Sequence, residues 1–209
     1  DAIAADSGAE IRLAAPVTSV EQDEEGVTVT TPAGVVRGRH AIVTVPLNTL
    51  RDLTFTPELS EPKRAAAGEG QASHGSKLWV RVRGDLPEPL FALAPDDRLL
   101  NYLQTEVLLE DGQILVGFGY DAASLDVTDI DAVTGPVRDL LGDVEVVATA
   151  GHDWLADEYS RGTWPVLRPT QTVRLLRELQ QPEGRIHFAG SETADGWNGF
   201  IDGAIESGL

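Results

Sequence analysis

The chain has 209 residues, 42% of them apolar and 24% charged, the balance of an ordinary folded protein rather than a disordered or membrane-embedded one. Its 34 acidic residues outnumber the 16 basic ones and leave a net charge of −18, which argues against sequence-independent binding to nucleic acid or to an anionic membrane surface. With no cysteine there is no disulfide framework, thiolate metal site or thiol nucleophile, and with no long apolar span or leader pattern the expected location is cytoplasmic.

In chain order, IRLAAPVTSVEQ, GVTVTTPAG and VVRGRHAIVTVP (residues 11–46) read as consecutive strands of a β-meander. Val27 and Val29 alternate with threonines, AIVTV is rich in β-branched residues, and Glu24-Glu25-Gly26 and Pro32-Ala33-Gly34 supply turns. After Pro46 breaks the last strand, Ser60 as N-cap and Pro62 in the first turn predict a short helix over Glu61 to Ala67. Gly68, Gly70 and Gly75 mark a boundary, beyond which KLWVRVRG, LLNYLQTEV and GQILVGFGY alternate as strands. DAVTGPVRDLLG reads as a helix interrupted early at Gly135-Pro136, DVEVVATAGHDW as a strand, and TQTVRLLRELQ as a helix capped near Thr170 or Thr172. RIHFAG is a buried strand feeding a final helix that starts near Gly199. No internal repeat is visible, and the expected class is mixed α/β with a separate α+β middle layer.

The stretch HFAGSETADGWNGFIDGAIESG, from His187 to Gly208, joins a short apolar strand, a glycine turn, a hydroxyl and acidic cluster, and an amphipathic helix. Such a unit aims backbone N–H groups and the positive end of a helix dipole at one spot, suited to a phosphate or an electron-rich ring. It reads equally as an ordinary strand–turn–helix in which Ser191 and Thr193 cap and Gly190 turns. His40, His74, His152 and His187 have no metal-ligand spacing, so no metal site is expected. The acidic runs 23–25 and 126–131 read as solvated turns, although so negative a protein would attract a cationic amine.

That C-terminal stretch closely resembles the flavin-binding motif of the flavin-containing amine oxidases, the monoamine and polyamine oxidase family. The likeness extends over nearly the whole chain: PVTSVEQDEEGVTVTTPAGVVRGRHAIVTVPLNTL resembles the family's β-meander, GSKLWVRV its lysine strand, and HDWLADEYSRGTW its segment beside the flavin. The resemblance implies the C-terminal part of a two-domain, FAD-dependent fold. Residues 1–66 would be the meander segment of a split FAD-binding domain, 67–156 an inserted substrate domain, and 157–209 the closing FAD-binding segment. The family's G-x-G-x-x-G turn is missing, the first residue is not methionine, and the chain stops within its last helix, so an N-terminal half on the same or a separate chain is the expected partner.

The resemblance also assigns roles. Lys77 matches the strand lysine that reaches flavin N5 through a water, Trp164 and Phe200 the two aromatic walls beside the substrate amine, and Trp154 a tryptophan packed near the flavin, which reads as well as plain core. The family often has tyrosine at the wall positions, so Trp164 and Phe200 make the cage more apolar. Gly190 and Ser191 are expected at the pyrophosphate, Glu192 at the ribityl-pyrophosphate region, and the backbone of Val17 at the adenine. The final helix, starting near Gly199, would point the N–H of Ile201 at flavin O2. Thr163 stands where some relatives attach FAD through cysteine, so the FAD is expected to be non-covalent. The implied reaction is oxidative deamination of an amine, with hydride passing to flavin N5 and oxygen leaving as hydrogen peroxide. Another FAD oxidase or desaturase, or a non-catalytic fragment, are the alternatives.

Overall fold

β-Branched and leucine-rich segments of this chain find two separate sets of partners. A computed structural model describes residues 2–95 and 97–209. Contacts divide them into a first unit, up to Glu69 together with Gln171–Leu209, and a second unit, Gly70–Thr170.

In the first unit α1 (Ala2–Ser7) precedes an extended stretch, followed by β1 (Ser19–Gln22), β2 (Val27–Thr31), β3 (Gly34–Gly38) and β4 (Ala41–Val43). α2 (Leu47–Leu50), β5 (Thr54–Thr56) and α3 (Glu61–Glu69) complete its first segment. The expected meander is present, as antiparallel β1, β2 and β3, with β5 added parallel to β1. Two details differ from expectation. Ile11 and Leu13 are exposed and lie outside any strand, and no strand among the described residues pairs with them. VVRGRHAIVTVP is two strands rather than one: β3 ends at Gly38, and β4 leaves the meander to pair elsewhere.

The second unit contains β6 (Ser76–Arg83), β7 (Phe91–Leu93), β8 (Tyr102–Leu109), β9 (Gly112–Gly119), α4 (Ile130–Leu141) and β10 (Glu145–Gly151). The sheet order is β10-β6-β9-β8-β7, antiparallel throughout. Alternation on β6 turns Ser76, Leu78, Val80 and Val82 inward. There Leu78, Val80 and Val82 join Leu103, Leu115 and the α4 residues Val133 and Val137 in one core, each fully buried aliphatic side chain contributing about 1.5–3 kcal/mol. The same packing explains why α4 runs unbroken through Pro136: burial of Val133 and Val137 against the sheet outweighs the one hydrogen bond that proline removes. Asp129 caps α4, accepting from the Asp131 N–H at 2.9 Å.

The chain then returns to the first unit as α5 (Gln171–Arg174), α6 (Leu176–Gln180), β11 (Ile186–Phe188) and α7 (Ile201–Ser207). The expected single helix is interrupted at Leu175, whose φ of −119° departs from the regular value, while the Leu175 N–H still donates to the Gln171 carbonyl at 2.7 Å and the Leu179 N–H to the Leu175 carbonyl at 2.8 Å. α7 begins at Ile201, two residues later than expected, because Gly199 adopts φ 85° and Phe200 is extended. β11 pairs in parallel with β4, Ile186 opposite Ala41 and Phe188 opposite Val43.

Candidate active site

Two groupings of polar and aromatic residues emerge, one in each unit. In the first, β4 and β11 run parallel, and their carboxyl ends open into a cavity of about 110 Å³, room for a phosphate-sized group. The crevice beyond the carboxyl ends of parallel strands is where open α/β sheets bind ligands. Its lining includes Thr44, Pro46, Leu47, Phe188, Gly190 and Glu192. Gly190 has φ 133°, and a Cβ built there would meet nothing closer than the Thr44 carbonyl oxygen at 3.9 Å, so a ligand can approach the bare backbone. The Gly190 N–H is itself engaged, donating to Ser207 Oγ on α7 at 2.8 Å. Glu192 Oε2 accepts the Leu47 N–H at 2.6 Å, serving one of the unpaired donors at the start of α2. Burial pushes the Glu192 carboxyl above its usual range, and the Leu47 hydrogen bond opposes that shift. Ser191 accepts the Gly199 N–H on its carbonyl at 3.0 Å, and Asn198 Nδ2 donates to the Glu192 carbonyl at 3.0 Å, which fastens the turn to the approach to α7.

Of the other residues assigned to the cofactor, Val17 lies just before β1 and makes no backbone hydrogen bond among the described residues. Ile201 opens α7, and Phe200, 62% exposed, meets Trp197 edge-on at 5.9 Å.

The second grouping covers the outer face of the second unit's sheet. Lys77 and Trp79 share that face of β6, and the Lys77 ammonium lies 4.7 Å from the centroid of the Trp79 ring and 5.7 Å from that of Phe118. Phe118 is the register partner of both Lys77 and Tyr102. Its ring meets Tyr102 edge-on at 5.3 Å and Trp164 edge-on at 5.6 Å. Trp164 lies directly over Gly75, where a Cβ would come within 2.9 Å of the indole. Lys77 and Trp164 are thus joined through Phe118, which residue type and spacing along the chain do not single out. The alternation of β6 places Trp79 beside Lys77, but Phe118 is found only once the β6–β9 register is known.

Trp154 belongs to a tight loop after β10. It packs edge-on against His152 at 4.3 Å, and His152 Nε2 lies 3.0 Å from Asp157 Oδ2. That hydrogen bond, helped by the Tyr159 N–H, holds the Asp157 carboxyl below its usual range. Thr163 Oγ1 is hydrogen-bonded to Ser73 Oγ at 2.5 Å. Among the described residues no set of three or more His, Asp or Glu side chains could hold a metal ion, and no helix is long and apolar enough to cross a membrane.

Pseudooxynicotine dehydrogenase of a Pseudomonas species is 41% identical over 100% of this chain and 42% of its own length. (S)-6-hydroxynicotine oxidase of Paenarthrobacter nicotinovorans is 38% identical over 95% of the chain and 46% of its own. The chain therefore spans less than half the length of these relatives. Among solved structures, a double mutant of putrescine oxidase superposes with a TM-score of 0.80 at 22% identity, over 99% of this chain and 49% of that one, which shows the fold to be about half of that architecture. The family model for flavin-containing amine oxidoreductases matches residues 1–209, end to end, and the chain belongs to that family.

Proposed function

We propose that this chain is the C-terminal, substrate-bearing half of an FAD-dependent enzyme that oxidatively deaminates an amine, completed by an N-terminal half that carries the glycine-rich pyrophosphate turn. The observation that carries the reading is the Lys77 ammonium on an aromatic sheet face, with Trp79 and Phe118 beneath it and Trp164 edge-on to Phe118. FAD, bound without a covalent link, supplies the hydride acceptor at N5 and the route by which electrons reach oxygen to form hydrogen peroxide.

The first unit's cavity suits the flavin's phosphates. It lies at the ends of two parallel strands, and Gly190 leaves room at its backbone. Gly190 and Ser191 would hold the pyrophosphate, Glu192 the ribityl side, and the Val17 backbone the adenine. Gly199 turns the chain into α7, whose first residue, Ile201, would offer its N–H to O2. An acid whose ionisation is already opposed by burial is the less repulsive neighbour for a phosphate. Thr163 has no thiol to link to the ring, and its hydroxyl is engaged with Ser73.

In the second unit Lys77 keeps its three N–H donors for water, because π faces rather than carboxylates hold its charge. A water ordered there is placed to add to the imine left by amine oxidation, so that the C=N bond is cleaved to a carbonyl product and ammonia or an amine. Trp164 and Phe200 would flank the substrate, orient its neutral nitrogen and exclude bulk water. The name of the 41%-identical relative favours a second reading, in which the same oxidation ends on an acceptor other than oxygen.

One set of measurements on the whole protein tests this. The visible spectrum should show a flavin that denaturation releases into the filtrate. Turnover of an amine panel should then produce peroxide in air, or, on the second reading, require an added dye acceptor. A colourless whole protein, or flavin retained on the denatured chain, contradicts the cofactor assignment. A Lys77→Met protein with unchanged rates of flavin reduction and reoxidation contradicts the role of Lys77.

A further inference from the structure

We propose that Phe118 is a positioning residue that holds the Lys77 ammonium and the Trp164 indole at a fixed separation, an inference that rests on the roles given to those two residues above. Among the described residues the Lys77 ammonium has no hydrogen bond and no ion pair; the rings of Trp79 and Phe118 are its aromatic contacts. A lysine amine rides on a flexible four-carbon stem, and without a fixed partner it would sample many positions. Trp79 contacts it from the same strand, two residues along. Phe118 reaches it from the neighbouring strand β9 and, among the described residues, is the one ring that touches both Lys77 and Trp164.

Phe118 is itself braced. Tyr102 meets it edge-on from β8, and Phe91 in turn meets Tyr102 edge-on at 5.3 Å from β7. Three strands thus converge on the position of one ring, through register pairs that place Tyr102 and Lys77 on either side of it. Edge-to-face geometry, with interplanar angles of 70° to Tyr102 and 80° to Trp164, is the favoured arrangement for aromatic pairs and resists sliding. A displacement of Phe118 would therefore move the group that orders water and the wall that orients the amine together.

The test uses the whole protein and a readout independent of turnover. Reductive methylation with carbon-13 formaldehyde keeps the lysine charge and gives each lysine a methyl resonance, and Lys77→Arg identifies the Lys77 signal. This chain has one other lysine, Lys63, which is buried. The Lys77 signal should lie upfield, under the rings. Phe118→Leu should move it toward the position of an exposed lysine and lower kcat about fivefold, the equivalent of one partly exposed cation–π contact. Phe118→Tyr, which keeps the ring, should restore both, whereas a role in filling space alone predicts no rescue specific to the ring. Phe118→Met repeats the experiment should leucine disturb β9. An unmoved resonance in the Leu and Met variants overturns the inference. If Lys77→Met leaves turnover unchanged while Phe118→Leu still moves the resonance, the functional role of Lys77 fails but the positioning by Phe118 stands.

Discussion

Lys63 is 1% exposed, the largest fully buried side chain among the described residues, and Lys63→Met should destabilise the first unit by about 2 kcal/mol. From α3 its ammonium donates to the Glu178 carbonyl at 2.5 Å and the Gln181 carbonyl at 2.6 Å, closing the C-terminal end of α6. It also lies 3.5 Å from Glu183 Oε1 and 4.5 Å from the centroid of Phe188, which lines the β4–β11 cavity. Two charge-assisted bonds at about 1.5 kcal/mol each are lost, and the desolvation that methionine avoids returns roughly 1 kcal/mol. Glu183 does not become a stranded charge, because both its oxygens accept from the Ser60 N–H and it is partly exposed. Hydrogen exchange followed by mass spectrometry over residues 176–188 of the whole protein should show about thirtyfold faster exchange in the variant. Burial depresses the Lys63 pKa, with Glu183 opposing, so the folded state binds this proton less readily than the unfolded chain. Wild-type stability should then rise as pH climbs toward 10.5 through the window below it, and the methionine variant should lack that slope. Unchanged or slower exchange in the variant would refute the reasoning, since burying the charge would then cost more than its bonds return.

Gly75→Val should displace Trp164, because a Cβ there lies 2.9 Å from the indole and 3.1 Å from the Gly119 carbonyl oxygen; a shifted tryptophan emission maximum and a several-fold higher KM for the amine, with flavin content preserved, would check it. Glu192→Gln should raise the melting temperature at pH 8 and have no effect near pH 4. The folded-state carboxyl pKa is raised, so its favourable contribution is complete at low pH and is lost as pH rises through that pKa, a loss the amide does not share. Gly190→Val should lower retention of flavin at least tenfold in dialysis, since φ 133° strains any L side chain and the new methyls fill the ligand approach. Arg185→Met should loosen the β1–β2 turn, seen as faster exchange over residues 22–27, because the guanidinium donates to the carbonyls of Asp23 and Glu24.

β6 was legible because one of its faces is buried and the other is not, and such alternation is a local property of the chain. Errors fell where tertiary pairing decides. β3 and β4 look continuous, yet one belongs to the meander and the other to the parallel pair with β11, 145 residues away in the chain. The helix after Thr170 has an unbroken helical composition, but Thr170 takes φ 71° and α5 and α6 part at Leu175. Pro136 erred in the other direction, because the buried flank of α4 is invisible to a rule about one missing N–H.

The sequence by itself determined the class and the family resemblance, and it named the candidate residues now proposed for the site, because glycine at a turn, lysine on a strand and tryptophan after a loop are local facts of residue type. Only the tertiary structure decided their surroundings. The β4–β11 pairing brings Glu192 to the Leu47 N–H, 145 residues away, where burial raises the energy of its charge and that hydrogen bond offsets part of the rise; the β6–β9–β8 register sets Phe118 between Lys77 and Tyr102, and its ring meets Trp164. Register and burial depend on every strand at once, so no single segment of the chain encodes them.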